Sequence, residues 1–299
     1  GDRAEAAELW PLVEWCLEYC RRQLTPDGVV ASDTDELEGR FPTGDANLCT
    51  STLYYDALLS AVSLGRELGV ESAQTARYAA QARALARAID AHFGGEVGGY
   101  DTYRYYAGNT LLRSWICMPL IVGLKERSEG TVRALLGPEL MTDDGLLTQQ
   151  GSSTFWDRST LYALRGIYNV GQADRATELL HRYSQRRLLG DHVPYPIEAW
   201  PEGSQRHLSA ESGLYCRIIT EGLFGIRPTG LRSFDLTPSM PAAWESMSLR
   251  HIRAFGSDFD ITVARVADGR LRITVARPGA KPKIYRAAPG ATIRVKLTD

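Results

Sequence analysis

The chain has 299 residues, of which 44% are hydrophobic and 23% are charged, and its formal net charge is −2. A chain of this length can bury a large core, which predicts one large domain or a large domain followed by a small one. A net charge so close to zero gives no sign of a nucleic-acid partner or of an anionic membrane surface. No apolar run approaches the roughly 20 residues needed to span a bilayer. We therefore expect neither nucleic acid nor a membrane among its partners.

The five cysteines lack the paired spacing of a metal site, and their odd number argues against a disulfide framework. Small core residues are the favoured interpretation. The sequence also lacks a phosphate-binding glycine loop, a dinucleotide fingerprint and a zinc motif. We therefore expect no metal and no cofactor. A cytoplasmic and a periplasmic location both stay open.

Apolar residues recur at helical spacing through the first three-quarters of the chain. In residues 4–24 this stripe ends at a Thr-Pro-Asp-Gly turn, which is a helix stop signal. Pro119 predicts a kink or a break inside one later segment. The same spacing predicts further helices over 47–68, 71–93, 109–124, 131–136, 154–170, 173–189 and 209–224.

Long polar connections separate these predicted helices, and they concentrate acidic, arginine, tryptophan and tyrosine residues. Long connections inside a compact domain are usually functional. Helical hairpins whose loops gather at one end describe an (α/α) toroid, so we expect a mainly α fold of this kind. The connections cover residues 27–46, 94–108, 142–153 and 189–208.

The pattern changes near residue 230, where β-branched and apolar residues begin to alternate with polar ones. Residues 259–263 and 271–275 alternate in this way on either side of Asp268-Gly269, which predicts a β-hairpin. Residues 291–297 predict another strand. We therefore expect a toroidal catalytic domain over residues 1–230 and a small antiparallel β-sandwich-like module over 231–299.

The first long connection carries a crowd of carboxylates around Arg40. Inverting cleavage of a glycosidic bond needs one carboxyl group as acid and a second as base, roughly 6.5–9.5 Å apart. A solvated acidic loop and a calcium site stay open as alternatives, although the spacing does not fit an EF-hand loop. The carboxylates are Asp33, Asp35, Glu36, Glu38 and Asp45.

The last long connection offers the complementary carboxylate, Glu198, which lies between two prolines and beside Trp200. A tryptophan ring next to a carboxylate suits a sugar, whose C–H groups pack on the ring while its hydroxyls form hydrogen bonds. For Glu202 and Glu211 we favour a structural role.

Further residues in these connections are candidates for contacts with a sugar, each with a structural alternative. Asp157 would serve equally well as a charge at a helix start. Arg206 and His207 follow Glu198 closely enough to reach the same site. The remaining candidates are Arg40, Asp101, Tyr105, Trp156, Arg158 and Trp200.

Two stretches resemble known glycosidases. SDTDELEGRF, followed by an apolar helix ending in Leu-Gly, resembles the acid-bearing loop of the α/α-toroid (six-hairpin) processing α-glucosidase, trehalase and glucoamylase families. YPIEAWPEGSQRH and the helix behind it resemble their base-bearing loop, and α-L-rhamnosidases end similarly. The resemblance implies Glu36 as general acid, with Asp35 one step away as its rival, and Glu198 as general base.

This resemblance implies an inverting, exo-acting glycoside hydrolase with a carbohydrate substrate. A polysaccharide lyase, a glycoside phosphorylase and a non-catalytic sugar-binding protein stay open as alternatives. The families have more helices than this sequence predicts. We therefore expect either a shortened toroid or an N-terminal segment of the same protein outside this sequence.

Overall fold

The computed structural model describes residues 1–35, 41–153, 155–189, 194–200 and 209–297, with only the backbone at 155, 199, 200 and 209. Its longer helices lie where apolar periodicity predicts them. They are α1 (Arg3–Arg22), α2 (Leu48–Leu68), α3 (Ser72–Phe93), α4 (Met118–Val122), α5 (Ser128–Leu135), α6 (Asp157–Asn169), α7 (Ala173–Arg187) and α8 (Ser209–Arg217).

Capping residues account for where the first helices begin and end. Asp2 precedes α1, and its Oδ1 accepts a hydrogen bond from the Ala4 N–H at 2.8 Å. Asn47 caps α2 in the same manner. Gly69, with φ of 80°, ends α2 in the left-handed conformation that glycine adopts without strain. These boundaries agree with the predicted helices to within one or two residues.

The prediction of a mainly α, (α/α)-toroidal fold is wrong, because the chain is 44% helical and 23% strand, with small antiparallel sheets. The supposed loops contain short hairpins that satisfy their own backbone hydrogen bonds. Gly98 and Gly99, both with positive φ, make the turn of the first hairpin. The paired strands are β1 (Gly94–Val97) with β2 (Tyr100–Tyr103), β3 (Met141–Thr142) with β4 (Gly145–Leu146), and β5 (Phe155–Trp156) with β6 (Ala199–Trp200).

Two predicted helices are interrupted. The segment 109–124 becomes a 3₁₀ turn at Ser114–Cys117 and the short α4. Pro119 lies in the first turn of α4, where its missing N–H removes no hydrogen bond. The segment 209–224 continues from α8 into a π-helix over Ile218–Leu223. A toroid is built from pairs of regular helices, and these two interrupted segments do not supply them.

The last part of the chain forms two antiparallel sheets. The predicted hairpin is confirmed, since β10 pairs with β11 around the turn at Gly269. Phe234 of β8 stacks on Phe259 of β10 at 5.5 Å between ring centroids, which joins the two sheets. The strands are β7 (Ile226–Gly230), β8 (Ser233–Leu236), β9 (Ser246–Ala254), β10 (Ser257–Arg265), β11 (Leu271–Ala276), β12 (Lys283–Ala287) and β13 (Ile293–Lys296). The division of the chain at residue 230 stays a prediction.

Buried aromatic and aliphatic side chains form a core that runs from the helices into the sheets. Trp115 is fully buried within this core. In the described part of the chain, no helix is both long enough and apolar enough to cross a bilayer.

Candidate functional site

The described end of the acidic loop is held by a buried tyrosine. The Tyr105 hydroxyl donates a hydrogen bond to Asp35 Oδ2 at 2.7 Å. Burial raises the pKa of Tyr105, so the hydroxyl keeps its proton and remains a donor. The structure therefore brings together two predicted site residues that are far apart in sequence. Glu36 and Arg40, the next predicted residues of this loop, lie outside the described residues.

Arg113 lies beneath this contact and is fully buried. Its guanidinium lies over the rings of Tyr105, at 4.7 Å, and Phe41, at 5.3 Å. It donates to the Pro42 carbonyl at 2.7 Å and to Gln149 Oε1 at 2.9 Å. Burial lowers the pKa of Arg113, while the nearby Tyr105 and Asp35 oppose that shift. Arg113 is not among the site residues predicted from the sequence. The signal that could have identified it is an arginine inside an apolar run.

Asn47 ties the acidic loop to helix α2. Its Oδ1 accepts from the Thr50 N–H at 2.8 Å, and its Nδ2 donates to the Thr34 carbonyl at 3.0 Å. One buried side chain therefore both caps the helix and fixes the residue before Asp35.

We expect Asn47→Ala to lower the free energy of unfolding by about 1–2 kcal/mol, because it removes a helix cap and leaves the partly buried Thr50 N–H unpaired. Asn47→Ser is the matched control, since its hydroxyl keeps a capping oxygen without adding a charge and loses the bond to Thr34. Chemical denaturation of both variants measures the difference. An Asn47→Ala protein as stable as the parent would show that the cap contributes nothing.

The second predicted carboxylate, Glu198, is buried, with 6% of its surface exposed. Its loop is attached to the start of α6 at two points. The strand β6 pairs with β5, so Ala199 lies opposite Trp156. The Ile197 N–H donates to Asp157 Oδ2 at 2.7 Å. These contacts fix the backbone on both sides of Glu198.

Asp157 is itself held by Arg187 of α7 in a buried ion pair, with Nη1 and Oδ1 2.8 Å apart. The side chains of Asp157 and Arg187 are only 1% and 2% exposed. Burial raises the pKa of Asp157, and Arg187 opposes that rise. Arg187 also donates to the Asp144 carbonyl at 3.0 Å. This geometry favours a structural role for Asp157, and its predicted contact with a sugar stays a prediction.

Trp156, Arg158 and Glu211 form a second set of contacts at the start of α6. The Arg158 guanidinium lies over the Trp156 ring at 5.5 Å. Its Nε and Nη2 donate to the same oxygen, Glu211 Oε1, at 3.0 and 2.9 Å. Glu211 is fully buried, and within the described residues its Oε2 has no hydrogen-bond partner. The favoured structural role of Glu211 agrees with this contact to Arg158.

The structure does not bring the remaining predicted residues into these two sets of contacts. Asp101 is exposed on β2 and pairs with Arg127. Arg206 and His207 lie outside the described residues, as does the side chain of Trp200. Within the part of the chain that is described, no three His, Cys, Asp or Glu side chains are arranged to hold a metal ion.

The segment from Asp144 to Gln149 connects the two carboxylate-bearing regions. Asp144 contacts Arg187 at the Glu198 end, and Gln149 contacts Arg113 at the Asp35 end. Since they are five residues apart, their Cα atoms are separated by at most roughly 17 Å. The two regions therefore border the same short segment, although they are more than 150 residues apart in sequence.

Comparisons with known proteins show a likeness of structure. No protein-family model matches the sequence, and no curated protein matches it. The match to a solved chain named sialidase covers 99% of the present chain and 31% of the sialidase chain, with a TM-score of 0.72 and 15% identity. A GH78 family rhamnosidase of Bacillus sp. GL1 matches 96% of this chain with 30% of its own, at a TM-score of 0.57 and 14% identity. For an α-L-rhamnosidase of Streptomyces avermitilis the shares are 99% and 31%, at a TM-score of 0.54 and 14% identity.

These structural neighbours are glycoside hydrolases, and the likeness, at 13–15% identity, is one of fold. The present chain spans about a third of the length of the sialidase and rhamnosidase chains it matches. The chain thus has the fold of one part of a glycoside hydrolase.

Proposed function

We propose that this chain carries the acid and base residues of an inverting glycoside hydrolase that removes a terminal sugar. The observation that carries the proposal is the buried Glu198, whose flanking backbone is fixed by Asp157 and by the β5–β6 pairing. A catalytic carboxylate must be held in one position to act on water, and hydrogen bonds to the backbone on either side of it supply that rigidity. The shared fold with glycoside hydrolases supports the same reaction class.

In the proposed reaction, Glu198 removes a proton from a water molecule as that water attacks the anomeric carbon. Glu36 donates its proton to the glycosidic oxygen as the bond between that oxygen and the anomeric carbon breaks. The product is a free sugar of inverted configuration, together with the alcohol of the leaving group. Glu198 ends the cycle protonated and Glu36 ionised, and exchange with solvent restores both.

The contact between Tyr105 and Asp35 suits a residue that supports the acid. The hydrogen bond from the buried Tyr105 hydroxyl holds the Asp35 side chain in place beside the proposed acid in sequence. We therefore assign the acid role to Glu36 and a supporting role to Asp35. Arg40, Trp200, Arg206 and His207 are proposed contacts for the sugar.

A panel of 4-nitrophenyl α- and β-glycosides tests the proposal, with proton NMR to identify the anomer that is released first. We expect hydrolysis of one glycoside, with first release of the opposite anomer, and stepwise shortening of a matching oligosaccharide from one end. Release of the same anomer would overturn the inverting mechanism. An unsaturated product that absorbs in the near ultraviolet, a requirement for phosphate, or no cleavage at all would overturn the hydrolase.

A further inference from the structure

A cavity of about 1160 Å3 lies between the helices and the C-terminal strands. Its walls come from α2, α6, the π-helix Ile218–Leu223, β7 and the segment after β8. Neither Asp35 nor Glu198 lines it. Ligand pockets commonly have volumes of about 300–1000 Å3, so this cavity can hold a small molecule together with water.

Positive charge dominates the described lining of the cavity. Five cationic side chains face two carboxylates, and these are Lys125, Arg165, Arg217, Arg227 and Arg265 against Asp56 and Glu221. Such an excess inside a concave surface concentrates field lines and attracts anions. Charge alone would suit any anion, so the arrangement of the groups decides what can bind.

Two of the arginines share one carboxylate. Glu221 Oε2 accepts from Arg165 Nη1 at 2.7 Å and from Arg217 Nη2 at 2.9 Å. Glu221 Oε1 accepts from Arg217 Nε at 2.5 Å. One negative charge therefore serves two guanidinium groups. Asp56 is engaged elsewhere, since its Oδ1 lies 2.5 Å from Arg227 Nη2.

Two polar atoms in the lining are buried without a partner. Arg165 is 6% exposed, and its Nε has no hydrogen-bond partner in the described part of the chain. The Ser239 hydroxyl, which also belongs to the lining, is likewise buried without a partner among the described residues. An unpaired buried donor costs roughly 1–3 kcal/mol, so its persistence calls for an explanation. Burial lowers the pKa of Arg165, which agrees with a charge that Glu221 compensates only in part.

The wall that carries Glu221 is itself unusual. It is a π-helix over Ile218–Leu223, a rare element that occurs frequently at functional sites. Gly222 lets this wall approach α6, because a Cβ atom there would lie 3.2 Å from the Tyr168 ring. The irregular helix therefore places Glu221 between Arg165 and Arg217.

The rest of the lining is suited to a sugar. Hydroxyl and amide side chains border the charged groups and include Ser60, Ser63, Asn169 and Thr237. Apolar side chains such as Leu64 and Pro228 complete the lining, and sugar C–H groups can pack against them. We propose that this cavity binds a sugar acid, whose carboxylate lies against Arg165 and Arg217 and whose hydroxyls contact the polar wall.

Isothermal titration calorimetry of the 299-residue protein tests the proposal, with D-galacturonic acid as the probe and methyl galactoside as its neutral counterpart. We expect galacturonate to bind at least about tenfold more tightly, because the loss of one ion pair of about 1.4 kcal/mol corresponds to that factor. Equal binding of the two sugars would overturn the proposal, as would no binding of either. Equal binding of inorganic phosphate would overturn the sugar assignment.

Two half-exposed residues give variants that should change the affinity for galacturonate in opposite directions. Arg217→Gln removes a cation and should weaken galacturonate binding about threefold to tenfold, whereas Asp56→Asn frees Arg227 and should strengthen it. Arg253→Gln is the matched control, since this arginine on β9 is 85% exposed and outside the cavity. A purely structural cluster would make Arg217→Gln and Asp56→Asn act in the same direction, and that result would overturn the site.

Discussion

Replacing Glu198 by glutamine is expected to lower kcat about 10²- to 10⁴-fold while the protein stays folded. The amide has nearly the shape of the carboxylate, but it cannot take a proton from water. The backbone contacts of the loop, from Ile197 to Asp157 and between β5 and β6, do not involve the Glu198 side chain and are retained. Steady-state kinetics on the best aryl glycoside measures the loss.

The matched control for this variant is Glu139→Gln. Glu139 accepts a hydrogen bond from the Tyr100 hydroxyl at 3.2 Å and belongs to neither carboxylate loop. We expect its kcat to stay close to that of the parent. A Glu198→Gln enzyme with near-parental kcat would rule out Glu198 as the base, and another residue would have to activate the water.

Replacing Asp157 by alanine is expected to lower the free energy of unfolding by about 3–5 kcal/mol. The change leaves the buried Arg187 guanidinium without its carboxylate and the Ile197 N–H without its acceptor. Since Ile197 precedes Glu198 directly, kcat should fall as well, through displacement of the proposed base. Asp157→Asn should cost less, because its amide oxygen can still accept from the Ile197 N–H, whereas Arg187 loses its carboxylate in both variants.

A neighbouring ion pair supplies the control for Asp157→Ala. Asp144 pairs with Arg186, whose side chain is half-exposed, and Asp144→Ala should therefore cost less than about 1 kcal/mol. The contact of Arg187 with the Asp144 backbone carbonyl survives that change. If urea denaturation gave similar losses for both alanine variants, the buried ion pair would not be the element that holds the Glu198 loop.

The pH dependence of stability provides an independent check on Asp157. Burial raises the pKa of Asp157, so the folded protein favours the protonated side chain. This preference adds to the free energy of unfolding, and its contribution is fully present below the pKa of an unfolded aspartate. That contribution is lost as the pH rises through the folded pKa. Asp157→Asn should remove this dependence from a pH series of denaturation curves.

The sequence by itself determined the main helices and the C-terminal hairpin, because their signals are local. Asn47 and Gly69 bound α2 through contacts within one turn of the helix. Asp268-Gly269 makes a turn between two alternating strands for the same reason. Both carboxylate loops could also be found from sequence, since each concentrates residues that a surface connection rarely holds together.

Only the tertiary structure decided the fold class and the supports of the site. Toroidal packing depends on how helices pair in space, and short hairpins such as β1–β2 in the connections leave no local periodicity long enough to predict. Arg187 pairs with Asp157, which lies 30 residues earlier, and Arg113 donates to the Pro42 carbonyl, which lies 71 residues earlier. Such partners are selected by burial, because a charge excluded from water must find its counterpart wherever the folded chain brings one.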